Sequence, residues 1–359
     1  MDIYILDDNF DVLVAEDCYE SLVWNERYNS PGDFELVVPS SSKSIAYLAM
    51  DRYIYIEKSN KLMIVEHQEP YTDVEDGNTV LFSGRSLESI LDRRIIWQQT
   101  TISGNVQDAI KRLINEAIIS PTDSSRQISN FIFEDSTDTN VTSLTMDETQ
   151  FTGDNLLEVI ETICQDKKLG FQITLNTSKQ FVFKLYSGTN RTKEQTVVPQ
   201  VEFSVNNDNI FSSRLTIDKT EYKNVTLIAG EGEGLDRRTQ TYGTETGLSR
   251  REYYTDARDI SSNEGSEDEI PAATYNNLLI ERGKEKLNEL IITKEIEAEV
   301  DTSDRAMYIF NKDYFIGDLV ENVDMYGTRS VSRIIEMTMS LTAKEYKFYP
   351  IFENERIIE

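Results

Sequence analysis

Short runs in which apolar and polar residues alternate dominate the first hundred residues. Residues 21–28 and 33–38 are two such runs, and the Pro31-Gly32 pair between them is a turn signal. Residues 53–57 and 61–65 form a second pair, separated by a gap of hairpin length. Short strands at this density, joined by polar turns, predict an antiparallel barrel or sandwich.

Apolar residues at helical spacing predict three helices further along the chain. The first covers residues 106–119 behind Asn105 as its N-cap, the second begins after Asn155, and the third runs over residues 271–290. Directly after the second helix the apolar spacing changes to two, over residues 171–185, which predicts a β-hairpin.

The order of these blocks indicates the domain organisation. The chain is β-rich over residues 1–100, α+β over 101–199, β over 200–240 and mixed over 241–359. A β-rich start that resumes after an α+β block indicates an inserted middle domain. The fold class is therefore α+β, mainly β.

The charge excludes several classes of partner. With 64 acidic against 36 basic residues, the net charge is −28. This charge argues against sequence-independent binding to DNA or RNA and against adsorption to anionic lipid. The N-terminus is acidic, without a signal-peptide pattern, and no apolar run approaches the ~18 residues of a membrane span. We therefore expect a soluble, intracellular chain at synthesis, with no stable membrane insertion.

Few residues offer catalytic or metal chemistry. His67 is the single histidine, and its strand-like surroundings predict an outward-facing side chain rather than a catalytic one. Cys18 and Cys164 are far apart and unpatterned, so neither a disulfide framework nor a metal motif is expected. The glycines of residues 230–234 precede no helix, which predicts a turn between strands rather than a dinucleotide site. We assign no catalytic, cofactor-binding or metal-binding residue and expect no cofactor.

Several motifs resemble those of the central tail hub proteins of long-tailed bacteriophages. That family includes the baseplate hub of contractile tails and tail-like particles, and the N-terminal module of tail-associated lysins. The motifs are WNERY at 24–28, PGDFEL at 31–36, GRSLESILDRRI at 84–95, RRE at 250–252, DARD at 256–259 and YFIGDLV at 314–320. They span nearly the whole chain in the expected order.

The resemblance implies a domain organisation. It implies two tube-like antiparallel β-barrel domains per chain, the first from residues 1–100 plus 200–240 and the second from 241–359 with its helix 271–290. An α+β domain from residues 101–199 is inserted into the first barrel.

The resemblance also implies an assembly and a set of partners. Three chains form a homotrimer whose six barrels dock on the hexameric tail tube and the distal tail protein. A tape measure protein, and a tip, fibre or receptor-binding protein, are further expected partners. The chain is then a structural virion protein at the tail tip or baseplate, assembled in the host cytoplasm, which surrounds or closes the DNA channel. No catalytic residue is carried over from the family.

Two groups of residues are candidates for function in such a hub. Glu295, Glu297 and Glu299 alternate with apolar residues and either face the channel or form a solvent-exposed outer rim. Trp24, Arg27 and Tyr28 are either barrel core with a stacked arginine or a subunit interface.

Two other classes of function stay open. A cell-wall hydrolase would need an acid pair that counting cannot reveal among 64 carboxylates. A receptor- or glycan-binding tip module would expose aromatic platforms. The only tryptophans, Trp24 and Trp97, lie in β-like or helix-adjacent apolar segments, which disfavours that class.

Overall fold

A computed structural model describes residues 2–73, 77–263, 265, 269–301, 306–323, 329–342 and 346–358. Side chains are described for these residues except 73, 213, 215, 235, 293–298 and 354–358.

Strands far outnumber helices along this chain. The strands are β1 (Ile3–Leu6), β2 (Val12–Glu16), β3 (Ser21–Arg27), β4 (Asp33–Pro39), β5 (Tyr53–Ile56), β6 (Met63–Asp73), β7 (Gly77–Ser86), β8 (Thr100–Asn105), β9 (Phe131–Glu134), β10 (Thr145–Phe151), β11 (Gly170–Leu175), β12 (Phe181–Tyr186), β13 (Glu202–Ser204), β14 (Ile210–Asp218), β15 (Val225–Ala229), β16 (Thr239–Tyr242), β17 (Glu252–Asp256), β18 (Thr293–Val300), β19 (Leu319–Val323), β20 (Arg329–Thr342) and β21 (Tyr346–Ile358). The α-helices are α1 (Val106–Ile114), α2 (Thr139–Thr142), α3 (Leu156–Asp166) and α4 (Ala272–Asn288).

One large sheet joins the two ends of the chain. Its strands follow the order β14-β18-β21-β20-β3-β4-β7-β6-β5-β1-β2, and beside this path β19 pairs with β20 and β13 pairs with β19. The two halves meet where β3 pairs antiparallel with β20, from Ser21 opposite Thr342 to Arg27 opposite Glu336. One apolar core continues across this seam, because Trp24 and Phe34 belong to the same buried cluster as Phe203 and Phe352.

The inserted domain forms a second core. Its three-stranded sheet has the order β11-β12-β9, and β8 pairs with β10. The predicted hairpin is present, with Phe171 opposite Leu185 and Ile173 opposite Phe183. Two of the predicted helices also lie here, and the first continues beyond α1 as a π-helical turn over Asn115–Ile119.

The predicted helix caps of this domain are both present. The Asn105 side chain accepts a hydrogen bond from the Asp108 backbone N–H at 3.2 Å, and the Asn155 side chain accepts one from Leu157 at 2.9 Å. These bonds satisfy backbone donors that the first helical turn cannot pair internally.

A third, smaller unit packs α4 against the sheet β16-β15-β17. The helix lies close to the sheet because Gly283 has no side chain. An added Cβ there would lie 2.7 Å from the Ile228 side chain. Residues 230–234 connect β15 to β16 as a turn, as predicted.

The strands within residues 200–240 pair with later segments of the chain. β14 pairs with β18, β13 pairs with β19, and β15 pairs with β16 and β17. The assignment of residues 200–240 to one barrel domain with residues 1–100 remains a prediction. Alternation of apolar residues identifies a strand but carries no information about which distant strand it pairs with.

The fold class is confirmed: the chain is mainly β, with several sheets and an α+β arrangement. Among the described residues, none of the helices has the length and apolarity needed to cross a membrane.

Candidate functional site

Tyr28 lies where the large sheet, the inserted domain and the C-terminal segment meet. Its side chain is fully buried, and its hydroxyl donates a hydrogen bond to the Lys168 carbonyl at 3.1 Å. Its backbone N–H donates to the Ile335 carbonyl at 2.9 Å, and its carbonyl accepts from the Phe171 N–H at 3.2 Å. Because burial raises the pKa of Tyr28, the phenol stays protonated at neutral pH and keeps its role as a donor.

Two glycines make room for the Tyr28 ring. A Cβ added at Gly170 or at Gly317 would lie 2.3 Å from the ring carbon Cε2. The Arg333 guanidinium lies 5.3 Å from the centre of the same ring, and its Nη1 donates to the Gly317 carbonyl at 2.8 Å. Two motifs of the family resemblance, at 24–28 and 314–320, therefore meet in space.

Arg27 links three segments of the same junction at the surface. Its guanidinium forms ion pairs with Asp33 at 2.5 Å and with Glu336 at 2.7 Å, and it donates to the Pro31 carbonyl at 2.9 Å. The side chain is about 29% exposed. It therefore bridges β3, the turn before β4 and β20 while keeping one side accessible.

The other two interface candidates, Trp24 and Tyr28, are core residues. Trp24 is 0% exposed and donates from Nε1 to the Ser59 hydroxyl at 3.1 Å. With Trp24 and Tyr28 buried inside one chain, the interface hypothesis rests on Arg27 and remains a prediction.

A buried polar network beneath Trp24 was missed by the sequence analysis. Glu26 accepts a hydrogen bond from Ser59 at 2.5 Å, and Lys61 pairs with Glu88 at 2.5 Å. Glu88 also accepts from the Ile173 N–H of the inserted domain at 3.0 Å. Burial raises the pKa of Glu26. The alternation in β3 was the available signal, because it places Glu26 on the same face as Leu22 and Trp24.

The three predicted channel residues are only partly described. The backbones of Glu295 and Glu297 lie in β18, between β14 and β21, but their side chains fall outside the described residues. Glu299 is partly buried and pairs with Lys347 at 3.1 Å. Their orientation toward a channel remains a prediction.

The large sheet ends in two open edges. β2 ends one side and β14 the other, and neither has a second partner strand among the described residues. Both carry exposed apolar side chains: Val12 and Leu13 on β2, and Phe211 and Ile217 on β14, where the exposed fractions are 65% and 60%. Open edges of this kind are templates for pairing with another chain.

A cleft separates α3 of the inserted domain from α4. Its volume is about 400 Å³, and its lining includes Glu161 on α3 and Glu285 on α4. Burial raises the pKa of each of these carboxyls to about 7. Arg282, buried beside them, is fixed by Asp259 at 2.9 Å. A hydrolase of the two-carboxylate type would use a cleft with these components.

Trp97 is exposed although it follows two apolar residues in the sequence. The residue is 65% exposed. It borders a cavity of about 230 Å³. The apolar neighbours Ile95 and Ile96 give no indication in the sequence that Trp97 is exposed. Of these two neighbours, only Ile96 is buried.

This architecture is similar to that of phage tail proteins of known structure. A tail protein from Neisseria meningitidis MC58 has 13% identity and a TM-score of 0.55, with 99% of this chain and 96% of that chain covered. A 43 kDa tail protein of prophage MuSo2 from Shewanella oneidensis has 14% identity and a TM-score of 0.54, covering 99% and 98%. Prophage tail protein gp18 from Listeria monocytogenes EGD-e has 14% identity and a TM-score of 0.50, covering 99% and 95%.

The sequence itself identifies the family. Residues 2–352 match the model of the Siphovirus ReqiPepy6 Gp37-like protein family, and the chain belongs to this family. No curated protein matches the sequence. The expectation of a phage tail protein family, based on the motifs, is confirmed.

Proposed function

We propose that this chain is the trimeric hub at the distal end of a phage tail. Membership of a siphovirus tail protein family and the tail-protein fold support a structural role. The hub joins the hexameric tail tube and the distal tail protein to a threefold tip. The tape measure protein, and a tip, fibre or receptor-binding protein, are its further partners in the virion.

The observation that carries this proposal is the pair of sheet edges, at β2 and β14, that have no further partner strand among the residues the structure describes. If β14 of one copy contacts β2 of the next, the contact joins two different surfaces, and repeating it produces a closed ring or an open filament. The exposed apolar residues at both edges favour their burial in such a contact. Three copies, each with an N-terminal sheet module from β1–β7 and a C-terminal one from β13, β14 and β18–β21, give six modules that match sixfold symmetry.

The ring surrounds or closes the DNA channel in this proposal. A net charge of −28 suits that role, because a surface that repels phosphate does not retain DNA during ejection. Glu295, Glu297 and Glu299 are the residues we propose for the channel wall, and Arg27 for a contact between subunits. A structure of the assembled ring with these side chains on its outer face would contradict both assignments.

The mass of the native oligomer tests the proposal directly. Three copies of the 41.3 kDa chain give about 124 kDa by light scattering or native mass spectrometry. Phe211→Lys places a charge on the β14 edge, and we expect this variant to be monomeric. Leu248→Lys is the control, since Leu248 is also an exposed apolar residue but lies in the short 3₁₀ turn Gly247–Ser249, outside β2 and β14, and its trimer is expected to persist. A monomeric wild type, or equal masses for both variants, would refute the edge-pairing ring.

Cell-wall hydrolysis is the alternative, and the cleft between α3 and α4 is where it would occur. Zymography of the purified chain on bacterial cell walls distinguishes the two. We expect no clearing zone. Clearing by the wild type that is lost in Glu161→Gln would replace the structural assignment by an enzymatic one.

A further inference from the structure

Trp97 is held in an exposed position by its neighbours in the chain. The backbone N–H of Ile96 donates to the Asp154 carbonyl at 2.9 Å, and the Ile96 carbonyl accepts from the Gly153 N–H at 2.8 Å. These two bonds and the burial of Ile96 fix the segment that carries the indole. The exposure of Trp97 therefore results from a rigid backbone, and it leaves a large apolar surface in water that folding could have buried.

A cationic side chain fixes the indole from one side. The Arg126 guanidinium lies 5.2 Å from the centre of the Trp97 ring, within the range of a cation–π contact. Arg126 is itself positioned by a 2.7 Å hydrogen bond from Nη2 to the Ile95 carbonyl. The indole is thus pre-oriented before any ligand arrives, which lowers the entropy cost of binding.

The cavity beside Trp97 is lined by both polar and apolar side chains. Its polar lining includes Gln98, Glu116, Thr122 and Asp123. The side-chain amide of Gln98 has no hydrogen-bond partner within the described part of the chain. Asp123 is an ionised acceptor, because hydrogen bonds from Ser125 lower the pKa of its carboxyl.

We propose that Trp97 and this cavity bind one ring of a saccharide. The face of an indole carries negative charge density, which attracts the weakly positive C–H bonds on the apolar face of a pyranose ring. Sugar hydroxyls both donate and accept hydrogen bonds, which matches the mixture of amide, hydroxyl and carboxylate groups in the lining of the cavity.

The size and charge of the site favour this ligand class over the alternatives. Its volume of about 230 Å³ lies below the roughly 300–1,000 Å³ of pockets for drug-sized ligands, so it admits a single ring. A nucleic acid is disfavoured by the net charge of −28. A protein partner would have to desolvate charged Glu116, Asp123 and Arg126 at the centre of its contact, where interfaces are depleted of charge.

Tryptophan fluorescence gives a direct assay, because the chain has only two tryptophans and Trp24 is buried. The intact protein is titrated with a panel of defined sugars: glucose, galactose, mannose, rhamnose, N-acetylglucosamine, N-acetylgalactosamine and their trisaccharides. Concentrations extend to roughly 50 mM, well above the Kd of about 1 mM expected for a single-ring ligand. We expect at least one sugar to shift the emission and to protect Trp97 from quenching by acrylamide.

Variants identify the site by calorimetry or ligand-observed NMR with the sugar that responds. Trp97→Ala is expected to weaken binding by at least about tenfold. Trp97→Phe retains a smaller platform and part of the affinity, and Tyr71→Ala, at another exposed aromatic residue, leaves affinity unchanged. Three results would overturn the proposal: no response from any sugar in the panel, binding that survives Trp97→Ala, or a loss of oligomer mass in Trp97→Ala, which would identify a protein interface instead.

Discussion

The fit of Tyr28 between two glycines predicts a specific pattern of stability losses. In Gly317→Ala the new methyl group lies 2.3 Å from the Tyr28 ring, and Gly317 also has a φ of +92°, which L-residues other than glycine rarely adopt. In Gly170→Ala the methyl group meets the same ring at the same distance, but φ is outside that range. Gly104 has a φ of +80° with no atom within 4 Å of an added Cβ. The three variants therefore separate the steric clash from the backbone strain.

The expected magnitudes follow from these two costs. A non-glycine residue at positive φ costs about 1–2 kcal/mol, and overpacking a filled core costs about 1–3 kcal/mol. We expect a loss of about 1–2 kcal/mol for Gly104→Ala and about 1–3 kcal/mol for Gly170→Ala. Gly317→Ala bears both costs and is expected to lose about 2–5 kcal/mol.

Urea denaturation, followed by the emission of buried Trp24, measures these losses. Protein concentration is held constant, because assembly makes apparent stability concentration-dependent. A double-mutant cycle with Tyr28→Leu adds the decisive comparison. Removing the ring relieves the clash, so Gly317→Ala is expected to cost less in that background, whereas Gly104→Ala should be additive within about 0.5 kcal/mol.

A stability loss in Gly317→Ala that is no larger than the loss in Gly104→Ala would contradict the clash with Tyr28. Additive effects of the Gly317 and Tyr28 substitutions would contradict it equally. Either result would mean that the ring does not occupy the space above Gly317 in solution.

Three further substitutions test the rest of the structure. Glu285→Gln is expected to stabilise the chain above pH 5. Because burial raises the pKa of Glu285 to about 7 in the folded state, the folded chain binds more protons than the unfolded one and loses stability as pH rises toward 7. The gain in the free energy of unfolding should reach at most about 3 kcal/mol near pH 7. If the difference in urea midpoint between Glu285→Gln and the wild type is the same at pH 5.5 and at pH 7.5, the expectation is wrong. Lys61→Met leaves the buried Glu88 carboxylate without its cation, so the free energy of unfolding measured in urea at pH 7 should fall by about 3–5 kcal/mol. A loss of less than about 1 kcal/mol would contradict the buried ion pair. Asn155→Ala removes the cap of α3 and should lower the free energy of unfolding by about 1 kcal/mol in the same assay. An unchanged urea midpoint would contradict this expectation.

The sequence by itself determined the local elements of this protein. The caps Asn105 and Asn155, the helix α4 and the hairpin of β11 and β12 all follow from spacing and short-range hydrogen bonding. The alternation in β3 likewise contains the signal that Trp24 and Glu26 share one face, although the sequence analysis did not use it for Glu26. These features depend only on residues a few positions apart, so the order of residues is sufficient to predict them.

Only the tertiary structure decided which distant segments meet. It paired β14 with β18 rather than with the first hundred residues. It brought Gly170 and Gly317, which are far apart in the sequence, against the same Tyr28 ring, and it left Trp97 exposed. Such contacts depend on how whole sheets and helices pack in three dimensions. Many pairings satisfy the same alternation of apolar residues, and the choice among them depends on close packing across the whole core.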